Sequence, residues 1–136
     1  MNNDYEVVYK APTSREYAII RKESGLLEKS IEGVRIGLGN SLFAVSIYHD
    51  RTLVGMGRIT GDGGASFQIV DVVVKPSYRR QGMAREIMDH LMKYLSLNTY
   101  PGSYVSLIAD EPADRLYQEF GFNYSIPTSH AMIRIY

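Results

Sequence analysis

The sequence predicts a mixed α/β (α+β) domain, with a central, mostly antiparallel sheet of about seven strands flanked by about four helices. Three observations carry that prediction. The run Ser66–Val74 is dense in β-branched residues (Ile69, Val70, Val72, Val73, Val74), as a buried strand requires. Soon after it, Ala84, Ile87, Met88, Leu91, Met92 and Leu95 recur at helical spacing, with Arg85, Glu86, Asp89, His90 and Lys93 largely between them. A second compact apolar run, Val105–Ala109, then completes a strand–helix–strand crossover. At 136 residues the chain is long enough for one domain, 1–136, with a core that needs no staples.

Each remaining element has its own local signal. Residues 5–10 (YEVVYK) suit a short first strand. Thr13 or Ser14 caps a helix that runs to about Glu23, with Tyr17, Ile19 and Ile20 among its apolar positions. A second helix starts near Ser30 and includes Ile31, Val34, Ile36 and Leu38. Leu42–Tyr48 and Thr52–Ile59 read as a hairpin turned at His49-Asp50-Arg51, with Gly55 and Gly57 as weak points or bulges. Gly61-Asp62-Gly63-Gly64 turns the chain into the strand at Ser66–Val74. Lys75-Pro76 stops that strand, because proline has no N–H for a ladder and restricts its predecessor. Ala113–Phe120 reads as a short helix, with Asp110 as its cap, Pro112 in its first turn and Gly121 at its end. Phe122–Ser125 and Ala131–Ile135 suggest two last strands, separated by a loop at Pro127.

Composition narrows the function classes. Fifteen basic and fifteen acidic residues balance, so no broad field favours nucleic acid or an anionic membrane. No stretch approaches the roughly 20 apolar residues of a membrane span. The opening MNNDYEVVYK has neither the basic start nor the apolar core of a secretion signal, so a cytoplasmic location is expected. The sequence has no cysteine, which excludes disulfides, thiolate metal ligands and an enzyme-bound thioester. His49, His90 and His130 show no metal-ligand spacing, and no metal is expected.

The turn between the central strand and helix carries the chemistry. Ser77-Tyr78-Arg79-Arg80-Gln81-Gly82 places two arginines and a glycine just before a helix N-terminus. Such a terminus offers main-chain N–H groups and a positive dipole end to an anion. The first expectation is therefore a phosphate-bearing ligand held between residues 79 and 85. Taken alone, Arg79 and Arg80 would be solvated surface charges and Gly82 a tight-turn residue. The strand–turn–helix setting favours the phosphate.

Arg79-Arg80-Gln81-Gly82-Met83-Ala84 fits the motif Gln or Arg, any two residues, Gly, any residue, Gly or Ala. With Val72-Val73-Val74-Lys75-Pro76 upstream and Leu116-Tyr117-Gln118-Glu119-Phe120-Gly121-Phe122 downstream, the chain resembles the GCN5-related N-acetyltransferase (GNAT) family. The order of predicted elements matches over essentially the whole chain. The resemblance implies transfer of acetyl from acetyl-coenzyme A to an amine acceptor. It implies that the main chain of Gln81, Gly82, Met83, Ala84 and Arg85 holds the pyrophosphate, with Arg79 and Arg80 adding charge at the rim. The main chain of Val72 and Val74 would pair with the pantetheine arm, and an N–H near Val73 or Val74 would polarise the acetyl carbonyl. Tyr117 aligns with the family's general acid, which protonates the departing thiolate. Two positions depart from the commonest pattern: Asp110 stands where many members carry asparagine, and Ala84 closes the phosphate motif where glycine is common.

An attacking amine must first lose a proton, and Asp71 on the central strand is the best carboxylate for that task. Tyr78, Asp62 and Glu111 are weaker candidates. Asp71 could equally pair with an arginine in a structural network, and Tyr117 could be a packing residue. The acceptor is expected between the Ser24–Asn40 region, the Gly61–Gly64 turn and the C-terminal strands. A small-molecule amine is the first reading. A protein or peptide amine, or a coenzyme A-binding sensor without turnover, are the alternatives, and dimers are frequent in the family.

Overall fold

The computed structural model describes residues 4–136; residues 1–3, the start of the stretch read for a secretion signal, lie outside it. The chain forms two compact units, one ending at Ser106 and the other spanning Leu107–Tyr136. The first holds β1 (Tyr5–Val8), α1 (Ser14–Glu23), α2 (Ile31–Gly39), β2 (Phe43–His49), β3 (Thr52–Gly61), β4 (Ser66–Val74) and α3 (Met83–Asn98). β5 (Tyr104–Leu107) runs across the boundary, and α4 (Asp114–Glu119) is the helix of the second unit.

Among the described residues the sheet has five strands in the order β1-β2-β3-β4-β5, and the pairs from β1 to β4 are antiparallel. The β2–β3 hairpin turns on Asp50 and Arg51, whose φ of 50° and 66° match the handedness that twisted strands favour in two-residue turns. β5 starts beside the start of β4, where the Tyr104 N–H donates to the Ala65 carbonyl at 2.8 Å. Its four residues span about 13 Å against about 30 Å for the nine of β4. The second half of β4 therefore has no strand on that side among the described residues.

Helices cover both faces of the first unit. On one face α3 buries Met83, Ile87, Met88, Leu91 and Leu95. Gly55 and Gly57 let it approach: a Cβ at Gly57 would stand 2.6 Å from Ile87 Cγ2, and one at Gly55 2.9 Å from Met83 Sδ. On the other face Tyr17 and Ile20 of α1 and Val34 and Leu38 of α2 pack with Leu53, Met56 and Val73. α1 begins with a reciprocal cap, Thr13 Oγ1 accepting from the Glu16 N–H at 3.1 Å and Glu16 Oε1 from the Thr13 N–H at 2.9 Å. Ser30 caps α2 in the same sense, accepting from the Gly33 N–H at 2.9 Å.

Two expectations are corrected. The sheet has five strands rather than seven, because Phe122–Ser125 and Ala131–Ile135 form none. Alternating apolar residues make a strand only where a neighbouring edge completes their hydrogen bonds; here Met132, Ile133 and Ile135 are exposed, and Ser125, Thr128 and Ser129 make local turn contacts. Residue 113, not Asp110, caps α4: Ala113 is the N-cap without a side-chain bond, and Asp110 contributes its main-chain carbonyl, accepting from the Ala113 N–H at 2.8 Å. The turn expected after Lys75-Pro76 begins as a short 3-10 turn at Pro76–Tyr78.

Candidate active site

β4 carries the site, and its geometry is set by a bulge. Met56 pairs with Val73 and Arg58 with Val70, so Asp71 and Val72 together oppose the single residue Gly57. Asp71 takes φ 56° there, a left-handed conformation that aspartate tolerates better than a β-branched residue would. The bulge turns the Asp71 carboxylate into the α1 side of the sheet. Its Oδ2 accepts from Arg58 Nε at 3.0 Å, Arg58 Nη2 at 2.9 Å and the Tyr17 hydroxyl at 2.9 Å; its Oδ1 accepts from Arg21 Nη1 at 3.0 Å. The three charged side chains are about nine-tenths buried, at 9%, 10% and 12% exposure for Asp71, Arg58 and Arg21.

Each arginine is tied a second time. Arg21 Nη2 donates to the Leu27 carbonyl at 3.0 Å, and Arg58 Nη1 to Ser41 Oγ at 2.8 Å and the Gly37 carbonyl at 3.3 Å. Burial, then the charge of Asp71, pushes the Tyr17 phenol up to about 12, so it stays a donor at neutral pH. The sequence singles out Asp71 but not these partners. Oδ2 accepts three of their bonds and Oδ1 one, and the two guanidinium partners favour the ionised carboxylate over one that takes a proton from a substrate.

Beyond Val74 the chain enters the turn. Arg79 Nε donates to the Val74 carbonyl at 3.2 Å, which fastens the turn to the strand end and uses one of the five N–H groups of the guanidinium. That bond also occupies a Val74 group expected to meet the pantetheine arm. Arg80 and Gly82 both have left-handed φ, 64° and 82°. Gly82 is the N-cap of α3 and provides no side-chain cap; the first intrahelical bond is Glu86 N–H to the Gly82 carbonyl at 3.0 Å. The first-turn N–H groups of a helix have no intrahelical acceptors, and here the N-cap glycine has no side chain to accept from them. The αL backbone at Gly82 and the arginines beside it suit an anion at Gln81, Gly82, Met83, Ala84 and Arg85.

An aromatic cluster braces the other side of the turn. The Tyr78 hydroxyl bonds His49 Nδ1 at 2.7 Å, Tyr5 stacks on His49 with ring centroids 4.9 Å apart, and the Tyr5 hydroxyl donates to Gln81 Oε1 at 3.1 Å. These partners are far apart in sequence and no local signal announces them. Tyr78, one of the weaker base candidates, is thus engaged with a histidine. Asp62, another, accepts from the N–H groups of Gly64, Ala65 and Ser66 at 2.8, 2.8 and 3.1 Å. Those bonds hold its carboxyl below the usual range, the wrong direction for a base at neutral pH. Among the described residues no group of three His, Asp or Glu is arranged to hold a metal, and no helix is long and apolar enough to cross a membrane.

In the second unit, Tyr117 lies on α4, its main-chain carbonyl accepting from the Phe120 and Phe122 N–H groups at 3.0 and 3.2 Å. Burial, and secondarily the charge of Asp110, raises its phenol above the ordinary value. The Tyr124 hydroxyl bonds Asp114 in the same unit.

A family model described as an acetyltransferase (GNAT) domain matches residues 27–130. Among solved structures, the chain is similar to a Staphylococcus aureus protein of unknown function, with 45% identity, a TM-score of 0.93, and coverage of 97% of this chain and 99% of that one. It also has the fold of a GNAT-family acetyltransferase from Streptococcus pneumoniae, at 23% identity and a TM-score of 0.75, covering 97% of this chain and 98% of that one. Among curated proteins it is 28% identical over 105 residues to the uncharacterized N-acetyltransferase ycf52 of Gracilaria tenuistipitata var. liui, covering 72% of this chain and 55% of that protein. The chain thus spans about half the length of the curated relatives it matches first. By the span of the family model, which covers three-quarters of its length, the chain belongs to the GNAT acetyltransferase family.

Proposed function

We propose that this protein moves acetyl from acetyl-coenzyme A to a primary amine of a small molecule, by direct attack in a ternary complex. One observation carries the reading most: a helix N-terminus whose N-cap is an αL glycine, entered through Arg79 and Arg80, at the end of a bulged strand. Gln81, Gly82, Met83, Ala84 and Arg85 are the residues to hold the pyrophosphate, Arg79 and Arg80 to add charge, and Val72, Val73 and Val74 to present main chain to the arm and the acetyl carbonyl. One N–H aimed at the developing oxyanion is worth about 3 kcal/mol.

The reaction forms a C–N bond, breaks the C–S bond and leaves a thiolate. A thiol of pKa about 8.5 is a tolerable leaving group, and a phenol with a value of about 10 or more retains the proton it must deliver. Burial keeps the Tyr117 phenol on that side, which supports it as the acid; solvent reprotonates it. The amine attacks from its neutral fraction, about one part in a thousand at pH 7 for a pKa near 10, and its surplus proton leaves through water. The ion pairs of Asp71 weigh against that residue as the base. One family model spanning both units supports a single working domain over 1–136.

The test is release of coenzyme A thiol from acetyl-coenzyme A across small amines, polyamines, amino sugars and peptide N-termini. Turnover with a small amine supports the proposal. Turnover with peptides alone would move the acceptor to a protein amine, and tight binding with no turnover would make the chain a sensor. Tyr117→Phe is expected to lower kcat by about 100-fold with coenzyme A affinity unchanged; unchanged kcat across pH would return Tyr117 to packing.

A further inference from the structure

We propose that Asp71 is a positioning residue that locks the β4 bulge and so aims the main chain of Val72–Val74, acting through Tyr17, Arg21 and Arg58 rather than on substrate. The inference rests on the acetyl-transfer reading above and adds a role for residues that reading leaves unused.

A buried ion cluster is an uneconomical way to hold a fold together. Desolvating three charges cancels much of their attraction, and well-packed apolar residues often do as well. What such a cluster offers is geometry. Here the donors come from two separate elements, Tyr17 and Arg21 from α1 and Arg58 from β3, while Leu27, Gly37 and Ser41 anchor the far ends of the two arginines. All of them converge on the one residue of β4 whose backbone is left-handed. Shifting the register by one residue would turn the carboxylate to the opposite face of the sheet, and the two guanidinium groups would then face each other without a counter-charge. The cluster therefore selects the bulged register over the regular one.

The bulge also sets the path of the next three residues. Val73 regains its pairing with Met56 and buries its side chain, and Val74 pairs with Gly55. The main chain between Asp71 and Val74 is the stretch with no strand on its other side among the described residues. Its N–H directions are thus fixed from the cluster side and from β3. Small misplacement of such a donor is costly for rate while leaving a ligand held mainly by its phosphates bound.

The experiment compares Asp71→Asn, Arg21→Gln and the milder Tyr17→Phe with the wild type by kcat per folded molecule, coenzyme A affinity, pH profile and amide chemical shifts at Val72, Val73 and Val74. Asn keeps the tolerance for left-handed φ, and Arg21→Gln retains the carboxylate, so the set remains informative if one variant folds poorly. The expected result is a fall in kcat of about ten-fold for Asp71→Asn and Arg21→Gln and about three-fold for Tyr17→Phe. Coenzyme A affinity and the acidic limb should hold, and the three valine amide signals should move. Reduced stability with unchanged kcat per folded molecule would overturn the proposal in favour of a merely structural cluster. An acidic limb abolished by Asp71→Asn, with Arg21→Gln fully active, would overturn it in favour of a general base. Unmoved valine amides would overturn it whatever the turnover. Failure of the wild type to release thiol with any amine would instead strike at the acetyl-transfer reading, and a positioning role in catalysis would fall with it.

Discussion

At two of its left-handed residues, Asp71 and Gly82, the β4–α3 segment serves opposite ends. At Asp71 it brings a carboxylate into a cluster where four donors meet two oxygens. At Gly82 it opens a helix whose first turn has no side-chain cap. The bulge is closed and the turn is open. A polar group satisfied inside the protein holds shape, whereas a helix start whose N-cap residue has no side chain offers main-chain N–H groups to an anion. On the proposed reading, the difference separates residues that build the site from those that meet the ligand, and the ion pairs of Asp71 favour the first role for it.

The largest loss is expected at the closed position. Asp71→Ala leaves two buried guanidinium groups without their carboxylate and places alanine at φ 56°; it is expected to cost about 3–5 kcal/mol in urea unfolding. A loss under about 1 kcal/mol would mean the cluster is solvated and not closed at all.

At the open position the effect should appear in binding. Nothing lies within 4 Å of a Cβ at Gly82, so a side chain there strains the φ of 82° without a clash inside the protein. Gly82→Val is expected to weaken coenzyme A binding by about 100-fold in calorimetry while costing roughly 1–3 kcal/mol of stability. Undiminished affinity would remove the pyrophosphate from this turn.

The smallest effect sharpens the closed side through pH. Tyr17→Phe should cost about 1–2 kcal/mol near pH 8 by losing its bond to Asp71. The wild-type phenol stands at about 12 when folded against about 10 when unfolded, so the folded state holds a proton that the unfolded chain releases. Wild-type stability therefore falls as pH rises from 10 to 12, Tyr17→Phe lacks that share of the fall, and the gap between them narrows. Tyr48, also pushed up to about 12 by burial and its bond to Glu16, titrates in both proteins and cancels in the difference. A gap that stays constant over this range would contradict the buried placement of Tyr17.

Much of the fold is legible in the sequence where the signal is local. Thr13 with Glu16, Ser30 with Gly33, and Ser66–Val74 each act within a few residues, and helix starts and β4 follow from them. The phosphate turn is likewise continuous chain. The bulge is not legible, since it is a property of β4 in register with β3 and Gly57 offers only a hint of it. Nor are the partners of Asp71, because Tyr17 and Arg21 come from a helix far away in sequence. The alternation in Ala131–Ile135 misleads for the complementary reason: it describes one strand and contains no information about the edge it would need.

The most direct measurement is an amide chemical-shift titration of the wild-type protein with coenzyme A. The account predicts the largest changes at Gln81–Arg85 and at Val72–Val74, with the Arg21 and Arg58 side-chain signals nearly still. Saturating coenzyme A that leaves Gln81–Arg85 unmoved, or that displaces the arginines from Asp71, would contradict it.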